Sequence, residues 1–219
     1  MQRLTHANRP NQALQPTGDR SRNYKVETVV LPVQRTVDKA FRIILLPFMV
    51  LAAIGFALSV AAHISAVMGH PIPGGKAVWA LHIGIFIVWF PTVLVASRLT
   101  RGAKRKEFWK VTLAGCPKWM RTALYGIFGY AILNFISFMI VTINHPQTRG
   151  DAPPEVVRGF SGHWMVFYWA AFVTLYSASV IGYSGLDRKC PNGHSVAVTA
   201  KYCDECGAEL SPLFLSQTG

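Results

Sequence analysis

The chain has 219 residues, 51% hydrophobic and only 15% charged, with a mean hydropathy of +0.29. A soluble domain carries about a quarter charged residues, so this balance excludes an ordinary soluble globular protein and points into a bilayer. The formal net charge of +12 flanks apolar runs, which makes it a membrane-face charge attracted to an anionic inner leaflet; no nucleic-acid binding is expected.

In chain order, residues 1–24 are rich in Pro, Asn, Gln and Arg without apolar period and are expected to be disordered. The stretch "ETVVLPVQRTV" (27–37) has β-like character interrupted by Pro32 and is expected to be an extended or interfacial strip. Four apolar runs follow: Ile43–Met68, Ala77–Ser97, Ala123–Ile143 and Met165–Tyr183, none containing Asp, Glu, Lys or Arg. Each is near the roughly 20 residues that cross a hydrocarbon core of about 30 Å as a helix. They are too long and continuous for barrel strands. The predicted fold is an all-α membrane protein with four transmembrane helices, about 43–68, 77–97, 121–143 and 163–184, followed by a small cysteine-rich C-terminal knot. Pro91 is expected to kink the second helix. The segment "TRGAKRKEFWKVTLAGCPKWMR" (100–121) mixes basic residues with Phe108, Trp109 and Trp119, the composition of a headgroup-level strip. A helical turn is expected after Pro154, since Pro favours the first helical position. No cleavable signal is expected, because about forty mostly polar residues precede the first run.

Lys and Arg near the span ends decide orientation. They number eight through Arg42, one in the first loop, eight in the second, two in the third and three in the tail. The alternation predicts an integral protein of a bacterial-type inner (plasma) membrane, with both termini and the middle loop cytoplasmic. The domain reading is a basic N-terminal segment (1–40), a transmembrane domain (41–186), and a cytoplasmic ribbon and tail (187–219).

The tail holds "RKCPNGHSVAVTAKYCDECGAEL" (188–210), with Cys190, His194, Cys203 and Cys206 spaced x3, x8 and x2. Two ligands two or three residues apart on a tight turn reach one metal, and a Cys3His set closes a zinc tetrahedron. A span this short buries no core unaided, so metal supplies the folding energy. A disulfide pair or free thiols are the alternatives, and a reducing cytoplasm disfavours the first. "CPNGH" followed by "YCDECG" resembles the paired knuckles of a small zinc ribbon, with His194 where a second Cys is more usual. That resemblance implies architecture and little function. Balanced charge around the knot favours protein contact or self-assembly over a nucleic-acid grip.

Within the spans the absence of charge argues against a proton relay or ion path. Gly55, Ser59 and His63 form a small polar face on the first helix, and Gly126, Tyr130 and Asn134 do so on the third, both read as helix-packing surfaces. His63, His82, His163 and His70 all fall toward the extracytoplasmic end; three imidazoles there could hold a second metal or flank a haem, against which stands clustering without function. Cys116-Pro117 reads as an interfacial free thiol rather than a haem contact. No catalytic residue is identified. The leading expectation is a non-enzymatic interaction or scaffold protein with a cytoplasmic zinc module, able to oligomerise; the rival is a redox or metal-handling membrane protein using the outer histidines.

Overall fold

The computed structural model describes residues 20–70, 74–144 and 154–211. The expectations for residues 1–19 and for the tail beyond Ser211 lie outside the described residues. Among the described residues six helices are present: α1 Arg20–Val67, α2 Ala80–Leu99, α3 Phe108–Thr112, α4 Lys118–Asn144, α5 Pro154–Ile181 and α6 Tyr183–Leu186. Short 3-10 turns at Gly75–Trp79 and Arg105–Glu107 lead into α2 and α3. No strand occurs among the described residues. Among the described residues four segments are long and apolar enough to cross a membrane: Gln34–Val67, Gly75–Leu99, Lys118–Ile140 and Val156–Ile181.

Two boundaries differ from the sequence reading. The strip expected to be extended at 27–37 is helical, because α1 begins at Arg20 and runs through Pro32 and Pro47. The helix of the fourth apolar run begins at Pro154, nine residues before the expected span start at 163, so the turn anticipated there is the first turn of that helix itself. It stops at Ile181 because Gly182 adopts φ 79°, a backbone state that side chains disfavour. Pro91 leaves α2 unbroken, and the neighbouring Thr92 hydroxyl donates to the Val88 carbonyl at 2.7 Å.

Helix α5 is the hub of the unit spanning Thr36–Gly219. Most of its span is buried, whereas α1, α2 and α4 each turn most of theirs outward. Tyr168 explains how close α1 and α2 approach it. Its ring occupies the space where a side chain at Gly55 would lie, and its hydroxyl abuts Gly84 while donating to the Leu81 carbonyl at 2.7 Å. The polar face foreseen on α1 is buried here: Ser59 is 0% exposed and His63 6%. The face foreseen on α4 is only partly so. Asn134 is buried and donates to the Arg158 carbonyl at 2.8 Å, while Gly126 faces open space. The outward faces carry Ile43, Ile44, Ile83, Phe86, Phe90 and Leu133, each at least 60% exposed. Such surfaces are stable only against hydrocarbon or another apolar partner.

Candidate metal centre

The chain after α6 folds into two knuckles. Each pairs briefly with itself through an isolated antiparallel bridge, Lys189 with Ser195 and Tyr202 with Glu209. Each is closed by a glycine in the left-handed region, Gly193 at φ 84° and Gly207 at φ 71°. In the first knuckle Gly193 N–H donates to the Cys190 carbonyl at 2.9 Å; in the second Gly207 N–H donates to the Cys203 carbonyl at 2.9 Å. The glycine precedes the second ligand in the first knuckle and follows it in the other. His194 is thus one position further along than Cys206, and its longer side chain covers the difference.

These turns bring Cys190, His194, Cys203 and Cys206 together, with ligand atoms all within 4.8 Å of one another. His194 Nδ1 is 3.6 Å from Cys190 Sγ and 3.7 Å from Cys203 Sγ, and Cys190 Sγ is 3.7 Å from Cys206 Sγ. A tetrahedral ion with bonds of about 2.3 Å to sulfur and about 2.0–2.1 Å to nitrogen requires edges of about 3.8 Å (S to S) and about 3.6 Å (S to N). The donor set therefore fits a metal ion of zinc's size and softness. Glu205 Oε2 stands 3.7 Å from His194 Nε2, on the far side of the ring from the cluster, where an outer carboxylate orients a ligating imidazole. The Cys206 thiol is pulled down to about 6, chiefly by the backbone N–H of Ala208 and then by Asn192 and His194, which favours the thiolate that metals bind.

The knot is attached to the helices. Ala197 and Val198 are buried in one cluster with Leu99 of α2, Val111 of α3 and Leu186 of α6. Arg101 pairs with Asp187 at 3.4 Å and Lys104 with Asp204 at 3.3 Å. Gly102, at φ 73°, lies so close that an added Cβ would be 2.7 Å from the Ser195 carbonyl oxygen. The knot thus grips the basic α2–α3 connection and shares its end of the bundle. Arg188 ties the knot internally, donating to the carbonyls of Val198 and Ala200 at 3.0 Å each and of Ser211 at 2.5 Å.

Charge counting saw Arg188, Arg101 and Lys104 only as part of a basic balance. The one sequence signal for the docking surface was the apolar "VAV" at 196–198 inside a polar tail. Asp38 of α1 was also unforeseen. Its carboxylate accepts from Ser184 N–H at 3.2 Å and Ser184 Oγ at 3.0 Å, capping α6 from 146 residues away.

The outer histidines are not gathered into a set. Ser161 Oγ donates to the Arg158 carbonyl at 3.0 Å, so His63 Nδ1–H donates to Ser161 Oγ at 2.7 Å, and His63 Nε2 accepts from the Tyr130 hydroxyl. Both ring nitrogens are thereby engaged, and the Nε2 lone pair is directed at the Tyr130 hydroxyl. His82 Nδ1 accepts from Trp164 Nε1 at 3.1 Å, and the His82 ring stacks against His163 with centroids 6.2 Å apart. His70 is exposed past the end of α1. Among the described residues, the only group of three or more His, Cys, Asp or Glu placed to share a metal is Cys190, His194, Cys203 and Cys206. The described contacts of His63, His82 and His163 are hydrogen bonds and ring contacts. Cys116 is buried, and its thiol donates to the Val173 carbonyl at 3.1 Å. Burial, the largest cause, pushes its pKa up to about 11.

Compared with known proteins, the chain matches no family model, no curated protein and no solved structure.

Proposed function

We propose that this chain is a non-enzymatic membrane scaffold whose C-terminal zinc ribbon braces the cytoplasmic end of four transmembrane helices and presents a contact face to a protein partner. The observation that carries the reading is the Cys190, His194, Cys203 and Cys206 group docked on the α2–α3 connection. Four protein ligands leave no open coordination position, which is the pattern of structural rather than catalytic zinc. Orientation rests on the basic residues: eight before the first span and eight in the middle loop, against one and two in the others. A cytoplasmic knot then lies where thiols stay reduced and available to metal. Tyr202, 58% exposed and flanked by Lys201 and Asp204, is an aromatic of the kind that anchors protein interfaces.

Metal analysis of the purified chain tests the centre: one zinc per chain is expected, lost in Cys203→Ser. A reporter fused after Gly219 is expected to be active only in the cytoplasm, and one at Gly74 only outside. A photo-crosslinker at Tyr202 is expected to give one discrete adduct in native membranes that disappears in Cys203→Ser. Absence of zinc, an external C-terminus or no adduct each removes the corresponding part of the reading.

A further inference from the structure

The four cysteines differ in exposure. Cys116, Cys190 and Cys203 are buried, whereas Cys206 is exposed. A side chain at Gly207, the next residue, would meet nothing within 4 Å, so the space beside Cys206 is open to a small molecule. A second thiol stands behind it. Cys190 Sγ, buried on the other knuckle, lies 3.7 Å from Cys206 Sγ. Cys203 shares the second knuckle with Cys206, and its backbone is held there by two hydrogen bonds of 2.9 Å, from Gly207 N–H to its carbonyl and from its own N–H to the Ala208 carbonyl. A bond between Cys190 and Cys206 would close across the knuckles and leave both turns as they are. The sulfurs need only move from 3.7 Å to the disulfide length of about 2.05 Å. An exposed sulfur with a second thiol in reach is the arrangement in which one thiol is oxidised and the other resolves it.

We infer that Cys206 is a site of oxidation by hydrogen peroxide, and that Cys190 resolves the oxidised sulfur in a step that dismantles the metal centre. This rests on the reading of the quartet as a zinc site. A lone pair of the Cys206 thiolate attacks one peroxide oxygen. The S–O bond forms, the O–O bond breaks, and the departing hydroxide takes a proton to become water. The Cys190 thiolate then attacks the resulting sulfenic acid at sulfur; the S–S bond forms, the S–O bond breaks, and hydroxide again leaves as water. In sum, two thiolates, one hydrogen peroxide and two protons give one disulfide and two waters, with two electrons passing from sulfur to peroxide. Only His194 and Cys203 remain as ligands, half of the set that closes a structural zinc site. The disulfide takes one sulfur from each knuckle, so the knuckles stay joined while the site is empty. Thiol exchange with a reducing pool returns the four ligands.

The test treats the full zinc-loaded chain in detergent with hydrogen peroxide. Zinc content measured beforehand separates the two readings. A chain without zinc at the outset removes the zinc reading and this inference with it, whereas a loaded chain that keeps its zinc under peroxide refutes this inference alone. One zinc per chain should pass to a chromophoric chelator and return after dithiothreitol. Dimedone, which traps sulfenic acid, should label Cys206 alone when present during oxidation. Peptide mapping without it should find a Cys190–Cys206 bridge, with Cys116 and Cys203 reduced. Cys206→His, which keeps four ligands at an exposed position, should release zinc slower by about tenfold or more, since the sulfur attacked first is gone. If that variant binds no zinc, trapping and mapping on the native chain decide alone. Dimedone on Cys190 or Cys203, a Cys203–Cys206 bridge, or equally fast release from zinc-loaded Cys206→His would each overturn the inference.

Discussion

Removing one metal ligand should loosen more than the knot. In Cys203→Ser, or after chelation, residues 188–210 lose their main source of order, and with them goes the surface that covers the α2–α3 connection. Val198 and Ala197 are 3% and 5% exposed against Leu99, Val111 and Leu186. Burying a Val side chain contributes about 2 kcal/mol and the Ala methyl about 0.8. The two ion pairs, with side chains 51–68% exposed, add little. About 3 kcal/mol of docking corresponds to about a hundredfold in a local opening constant. Hydrogen exchange should therefore show amides of Leu99–Ala103 and Val111–Leu113 exchanging about a hundredfold faster without metal. Amides between Ser161 and Ser177, at the hub of the helices, should be unchanged. If exchange accelerates only within 188–210, the knot is an independent module and the reasoning from the shared cluster is refuted.

Gly55→Leu should be destabilising by about 1–3 kcal/mol, because its side chain meets the Tyr168 ring and displaces the hydroxyl from the Leu81 carbonyl; thermal unfolding in detergent reads this, and a wild-type midpoint would contradict it. Asp38→Ala should cost about 1–2 kcal/mol and speed exchange at the Ser184 amide, since the carboxylate is the cap of α6; unchanged exchange there would show the cap to be idle. Iodoacetamide at pH 8 should alkylate three cysteines of the folded, chelated chain and spare Cys116, whose thiol is buried with its pKa near 11. With the folded value above the unfolded value of about 9, that thiol contributes stability below pH about 9 that is lost as the pH rises toward 11. Early labelling of Cys116 would disprove this.

The existence and order of the four helices long and apolar enough to cross a membrane were legible in the chain alone, because a long continuous apolar run records that demand locally in its composition. The quartet that could hold a metal was legible for a similar reason: Cys190, His194, Cys203 and Cys206 fall within 17 residues, so short turns bring them together. The sequence also marked Gly55, Ser59 and His63 as a packing face, since helical spacing decides which residues share a side. What lay opposite each residue was settled only by tertiary structure. Asp38 and Ser184, Gly102 and Ser195, and His63 and Tyr130 meet across 67 to 146 residues of chain, and no local pattern encodes such pairs. Three histidines toward one end suggested a site from the sequence, but that His63 meets Ser161 and Tyr130 and that His82 stacks on His163 is visible only in the fold. The same reason hid the docking of the knot: a metal can order a short segment wherever it lies, but it is tertiary packing, such as that of Val198 in one cluster with Leu99 and Val111, that joins it to the helices.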